Sequence, residues 1–110
     1  KFSIQSDISG EIAVVTASGR FDSETAPNLD AELSKVVGEK NKIVLNLQGV
    51  DYMSSAGLRA MVKAFQQAQK SGGDVRLAAV SQPIEVILRT VGMLQMFKLF
   101  ATNEEALASF

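Results

Sequence analysis

Ile43-Val44-Leu45-Asn46-Leu47 is an almost unbroken apolar run. A strand this apolar is buried on both faces, so it belongs inside a sheet or under helices. After it, Leu58, Met61, Val62, Phe65 and Ala68 recur at helical spacing, while Lys63, Gln66, Gln67 and Lys70 fall largely on the opposite face. Ser71-Gly72-Gly73 stops that helix, and Val75, Leu77, Ala78, Ala79 and Val80 supply a second strand. Strand, helix and strand of these lengths make a βαβ unit. Its strands are therefore parallel and its crossover right-handed.

The junction inside this unit reads Asp51-Tyr52-Met53-Ser54-Ser55-Ala56-Gly57-Leu58-Arg59. Two hydroxyls thus stand where a strand hands over to a helix. Two readings fit them. Either serine serves as an N-cap, its oxygen accepting a first-turn N–H that has no other partner. Alternatively, one serine is a site of reversible phosphorylation, because the positive end of a helix suits a phosphate. Gly57 in the first turn costs about 1 kcal/mol of helix propensity relative to alanine. That cost is either simply tolerated or accepted for a close approach by a neighbour or partner.

Before the unit, Phe2, Ile4 and Ile8 alternate with polar residues, Ser9-Gly10 reads as a hairpin turn, and Ile12-Ala13-Val14-Val15-Thr16-Ala17 is a more buried strand. Strands this close in sequence pair antiparallel. Gly19-Arg20-Phe21-Asp22 ends the second strand, with Asp22 a turn or cap residue unless the fold brings it to Ser55. Pro27 marks the start of a helix carrying Leu29, Leu33, Val36 and Val37 on one face, with Gly38 near its end. Gln48-Gly49-Val50 reads as a turn into the serine junction.

Beyond the unit, Pro83 opens a helix with Ile84, Ile87, Leu88 and Val91 on its face and Gly92 at its end. Residues 97–100 suit a short last strand. Thr102 followed by Glu105 is a capping-box pattern for a C-terminal helix docked by Leu107 and Phe110. Met93, Leu94, Met96 and Phe97 form an apolar group that is either core or a partner-binding patch.

Composition removes several function classes. The 110 residues contain no cysteine and no histidine. Disulfides, thiol nucleophiles, Ser-His-Asp triads and the usual zinc sites are excluded. A net charge of −1 with both signs interspersed gives no basic surface for nucleic acid. No apolar run approaches the roughly 20 residues of a membrane span, and no signal peptide is visible. The glycines form neither a Walker A loop nor a dinucleotide fingerprint. The expectation is one cytoplasmic domain that is not an enzyme and inserts into no membrane.

Taken together, these segments resemble the STAS domain family, and especially its stand-alone bacterial anti-sigma factor antagonists. The resemblance is carried by Gly19-Arg20-Phe21-Asp22, by residues 43–47 and 50–58, by Gly72-Gly73 with the strand at 75–80, by the helix from Pro83 to Gly92, and by Glu104-Glu105-Ala106-Leu107. It implies a single-domain α/β fold over residues 1–110, with a mixed sheet of about four to five strands and about four helices. In that family the loop often reads aspartate-serine-serine/threonine-glycine, and the first hydroxyl after the aspartate accepts phosphate. Alignment on Gly57 and Leu58 puts Ser55 at the acceptor position, Ser54 in place of the aspartate and Ala56 in place of the second hydroxyl. Ser55 is the expected acceptor and Ser54 the second choice.

The resemblance also implies a partner surface of Arg20, Asp22, Ser54, Ser55, Gly57 and Leu58. The implied partners are an anti-sigma factor that is itself a serine kinase and a PP2C-like phosphatase. ATP and magnesium would belong to the kinase, so no cofactor is assigned to this chain. The alternative role is that of a STAS regulatory binding module in a transporter, stress-signalling or lipid-transport complex.

Overall fold

A computed structural model describes residues 1–110. In chain order the elements are β1 (Phe2–Ser9), β2 (Ile12–Phe21), α1 (Ala26–Glu39), β3 (Lys42–Met53), α2 (Ser55–Lys70), β4 (Asp74–Ala78), α3 (Gln82–Thr90), β5 (Leu99–Phe100) and α4 (Asn103–Ala108). The strands form one sheet in the order β1-β2-β3-β4-β5. The β1–β2 hairpin is antiparallel, and every later neighbour is parallel. The expected βαβ unit is β3-α2-β4. A second one, β2-α1-β3, precedes it.

Side chains alternate across the sheet, so each strand serves two layers. Ala13, Val15 and Ala17 of β2 and Ile43, Leu45 and Leu47 of β3 face the main core. There they meet Leu29, Leu33 and Val36 of α1, Leu58, Met61, Ala64 and Ala68 of α2, and Ile84 and Leu88 of α3. Each fully buried side chain of leucine or isoleucine size contributes about 1.5–3 kcal/mol. The intervening Val14 and Val44 face the other way, with Ala78, toward Ala106 of α4, flanked by Phe100, Leu107 and Phe110. This explains why β3 is apolar at successive positions.

Several elements differ from the sequence reading. β3 does not turn at residues 48–50 but continues to Met53, still paired with β2. β4 stops at Ala78 and leaves Ala79 and Val80 outside it, and β5 is confined to Leu99 and Phe100. The inner face of α2 is set by Gly57, Ala60, Ala64 and Ala68 as well as Leu58 and Met61, while Val62 and Phe65 are only half-buried. Small residues there let α2 lie close against α1. Ser71-Gly72-Gly73 does close α2, with the Gly73 N–H bonding back to Ala68 O at 2.7 Å.

At α4, Thr102 Oγ1 accepts the Glu105 N–H at 3.1 Å, while the Glu105 carboxylate accepts from Ala101 N at 3.3 Å. Half of the capping box is therefore displaced by one residue. The apolar group at 93–97 divides. Phe97 is buried edge-on to Phe65, with ring centroids 5.2 Å apart. Met93 and Leu94 pack at the core margin, and Met96 is exposed.

Candidate functional site

The serine junction is positioned by irregularities in β3. Thr16 pairs with Asn46, Ser18 with Gly49, Gly19 with Val50, Arg20 with Tyr52 and Phe21 with Met53. β3 thus spends two more residues than β2 over the same length, one of them Asp51. Such bulges sharpen the local twist and re-aim the strand beyond them. Gly49, paired with Ser18 just past the first bulge, has no room for a side chain, because a Cβ there would lie 2.7 Å from Ser18 Cβ. Asp51 is left exposed in the second.

Past the bulges, Ser54 N–H donates to Phe21 O at 2.7 Å, tying the end of β3 to the end of β2. This bond sets Asp22, the next residue after Phe21, beside the serine junction. Ser54 is the N-cap of α2: its backbone is extended, and its Oγ accepts the Gly57 N–H at 3.3 Å. Its carbonyl takes the Leu58 N–H at 3.0 Å. Ser55 is the first helical residue and is exposed, so its hydroxyl is not drawn into the cap. The two serines are therefore not equivalent. One is committed to the backbone and the other is presented to solvent at a helix N-terminus.

Gly57 and Leu58, expected at a partner surface, are buried. A Cβ on Gly57 would run into Met53 Sδ. Gly57 thus lets the first turn of α2 close over the end of β3, and Leu58 anchors that turn in the core. They position the site from beneath and offer little surface themselves.

Arg20, Asp22 and Tyr52 form the rim. The Arg20 guanidinium lies over the Tyr52 ring at 4.2 Å, with Nε 3.8 Å from Asp22 Oδ2. Sequence reading missed Tyr52, because only the bulged register shows that it stands beside Arg20. It also missed Arg59, which is exposed one helical turn beyond Ser55. Arg59 lines an open groove of about 370 Å³ between α1 and α2, together with Ala26, Pro27, Ala56 and Lys63.

Asp22 Oδ1 accepts from Thr25 N at 3.1 Å, Glu24 N at 3.0 Å and Thr25 Oγ1 at 3.1 Å. The Thr25 and then the Glu24 backbone bonds hold its carboxyl below the usual range, with smaller help from the Thr25 hydroxyl and Arg20. Since the folded pKa is the lower one, this stabilisation is present above the unfolded pKa of about 3.9 and is lost as pH falls through the folded value. Asp22→Ala is accordingly expected to lower the melting temperature at pH 7, with the gap to wild type closing in strong acid. Thermal melts from neutral pH down to strong acid check this, and a gap independent of pH would contradict it.

No group of three or more carboxylates forms a metal-binding cluster. No helix is long and apolar enough to cross a membrane. Fold and site together define a single α/β module that presents an exposed hydroxyl at a helix start. A family model for the STAS domain matches residues 3–106, and the chain belongs to that family.

Among its relatives is BtrV of Bordetella bronchiseptica, whose name places it with the anti-sigma factor antagonists. It is 31% identical over 93 residues, covering 84% of this chain and 80% of BtrV. A crystal structure of an anti-sigma factor antagonist from Mycobacterium paratuberculosis superposes with a TM-score of 0.88 at 24% identity, covering 99% of this chain and 93% of that one. The phosphorylated form of the Bacillus cell-fate determinant SpoIIAA gives a TM-score of 0.77 at 21% identity, covering 97% and 98%.

Proposed function

We propose that this protein is an anti-sigma factor antagonist switched by phosphorylation of Ser55. In its unmodified form it binds an anti-sigma factor, which gives up its sigma factor. The anti-sigma factor is a serine kinase acting with its own ATP and magnesium. Its transfer of phosphate to Ser55 ends the complex, and a PP2C-like phosphatase resets the switch. All of this takes place in the cytoplasm. The chain supplies a surface and an acceptor hydroxyl and performs no catalysis.

The observation that carries this reading is the division of labour between the serines. Ser54 caps α2, which frees Ser55 for modification at the exposed first helical position. Membership of the STAS family and the names of the relatives support the partner class. SpoIIAA, which shares the fold, has been observed in a phosphorylated form.

The test is phosphopeptide mass spectrometry on the protein incubated with its kinase and ATP. Phosphate is expected on Ser55 in the wild type. Ser55→Ala is expected to lose at least about 95% of the label while keeping its fold, because the cap belongs to Ser54. Equal labelling of wild type and Ser55→Ala would move the acceptor elsewhere.

A further inference from the structure

The two edges of the sheet are protected unequally. β5 is two residues long and has α4 packed beside it. β1 extends from Phe2 to Ser9 along the other edge, with no lysine, proline or bulge and a single charged side chain, Asp7. Charges, prolines and bulges are the devices that stop an exposed edge from pairing with another chain, and one carboxylate is all that this strand has of them.

The hydrogen-bond parity of β1 is set by one contact. Arg20 N–H donates to Lys1 O at 3.0 Å, so Lys1 and Arg20 are a hydrogen-bonded pair. By the antiparallel alternation, Ser3, Gln5, Asp7 and Ser9 then bond inward to β2. Phe2, Ile4, Ser6 and Ile8 turn their N–H and C=O groups outward. These same residues lie on the helix-covered face, where Ile4 packs on the core and Ser6 Oγ donates to Glu32 at 2.5 Å. Phe2 and Ile8, at the two ends, remain 39% and 55% exposed.

We propose that this edge is a self-association surface whose partner is a second copy of the chain, with β1 pairing antiparallel to β1 about a two-fold axis at Gln5. In that register Phe2 faces Ile8 of the second copy, and Ile4 faces its Ser6. Every outward residue therefore meets another outward residue, and all can exchange both backbone bonds. The exposed Phe2 and Ile8 cover each other. Ser3 comes opposite Asp7, so a hydroxyl meets the only charged side chain of the strand and no like charges are opposed. A one-residue slip sets outward groups against inward ones. A two-residue slip leaves either Phe2 or Ile8 without a cross-strand neighbour. The two copies would form one continuous sheet with their Ser55 sites at opposite ends, each open to its own partner.

A two-strand seam is smaller than a standard interface of about 1,600 Å², so association is expected between about 10 μM and 1 mM. Sedimentation velocity over that range should show a monomer–dimer equilibrium, and Ile8→Lys should remain monomeric. Amide exchange at Ile4, Ser6 and Ile8 should slow at least about tenfold as concentration rises, with Gln5 and Asp7 unchanged. The chain lacks cysteine, so Gln5→Cys tests the axis directly. Facing residues at a non-hydrogen-bonded pair lie about 4.5 Å apart between Cα atoms, within disulfide reach. Gln5→Cys should form covalent dimers at least about tenfold faster than the exposed control Gln48→Cys. A monomer at 1 mM would overturn the proposal and leave the edge to an extended segment of another protein. A dimer in which Gln5→Cys gains no rate advantage would overturn the register and the surface alike.

Discussion

Gly57→Val is expected to lower the melting temperature by about 4–16 °C and to loosen the turn that presents Ser55. The first Cβ atom would overlap Met53 Sδ, and Met53 is itself 2% exposed, with little room to move aside. Forcing extra carbons into a packed core costs about 1–3 kcal/mol. For a domain of this size each kcal/mol shifts the transition by roughly 4–8 °C. The gain in helix propensity on leaving glycine, at most about 1 kcal/mol and less for a β-branched residue, offsets only part of this.

Met53→Ala alone would leave a cavity and is also expected to destabilise, by about 2–5 kcal/mol. In the double variant the valine occupies space that the methionine vacated. The two losses should therefore fail to add, with a coupling of at least about 1 kcal/mol toward recovery. Additive losses, or a Gly57→Val protein that melts like wild type, would show that Gly57 is not where α2 seats on β3.

Much of this arrangement can be read from the chain, and the parts that cannot share a physical cause. The β3-α2-β4 unit is written in periodicities of two kinds, which depend only on local geometry. The proposed acceptor position rests instead on the family resemblance, through alignment on Gly57 and Leu58. What stays hidden is register. Gln48-Gly49-Val50 carries the residues of a turn, yet Gly49 lies in a strand just past a bulge, where what it accommodates is Ser18 on the neighbouring strand. The same bulges bring Tyr52 beside Arg20 and leave Asp51 in solvent, and no spacing within either segment reveals it. The choice between the two serines as cap also stays open in the sequence, because both suit the role, and the Gly57 N–H bond to Ser54 Oγ decides it. Gly57 and Leu58 were legible as important. Whether they face a partner or the core was not, because burial on one turn of helix is decided by what packs beneath it.

Phosphoserine at position 55 is expected to weaken the complex with the anti-sigma factor at least about a hundredfold while leaving the fold intact. A hundredfold loss requires only about 2.8 kcal/mol. The modification adds about −1.5 to −2 charges at a surface that already carries the half-buried Asp22 and the exposed Asp51. A single unfavourable pair between the phosphate and an acidic group of the partner at about 4 Å, with an effective dielectric near 20, reaches about 4 kcal/mol before salt reduces it. The chain itself tolerates the phosphate. The positive end of α2 favours an anion by about 0.3–1 kcal/mol, and Arg59 stands one turn away without a carboxylate of its own in an ion pair.

Calorimetric titration of the partner with unmodified and phosphorylated protein measures the loss directly, with melts of the free proteins alongside. The affinity gap should narrow as ionic strength rises, while the melting temperatures differ by no more than about 2 °C. Ser55→Ala should bind like the unmodified protein. Equal affinity of the two forms would remove the switch. A large drop in melting temperature on phosphorylation would replace electrostatic exclusion with unfolding as the mechanism.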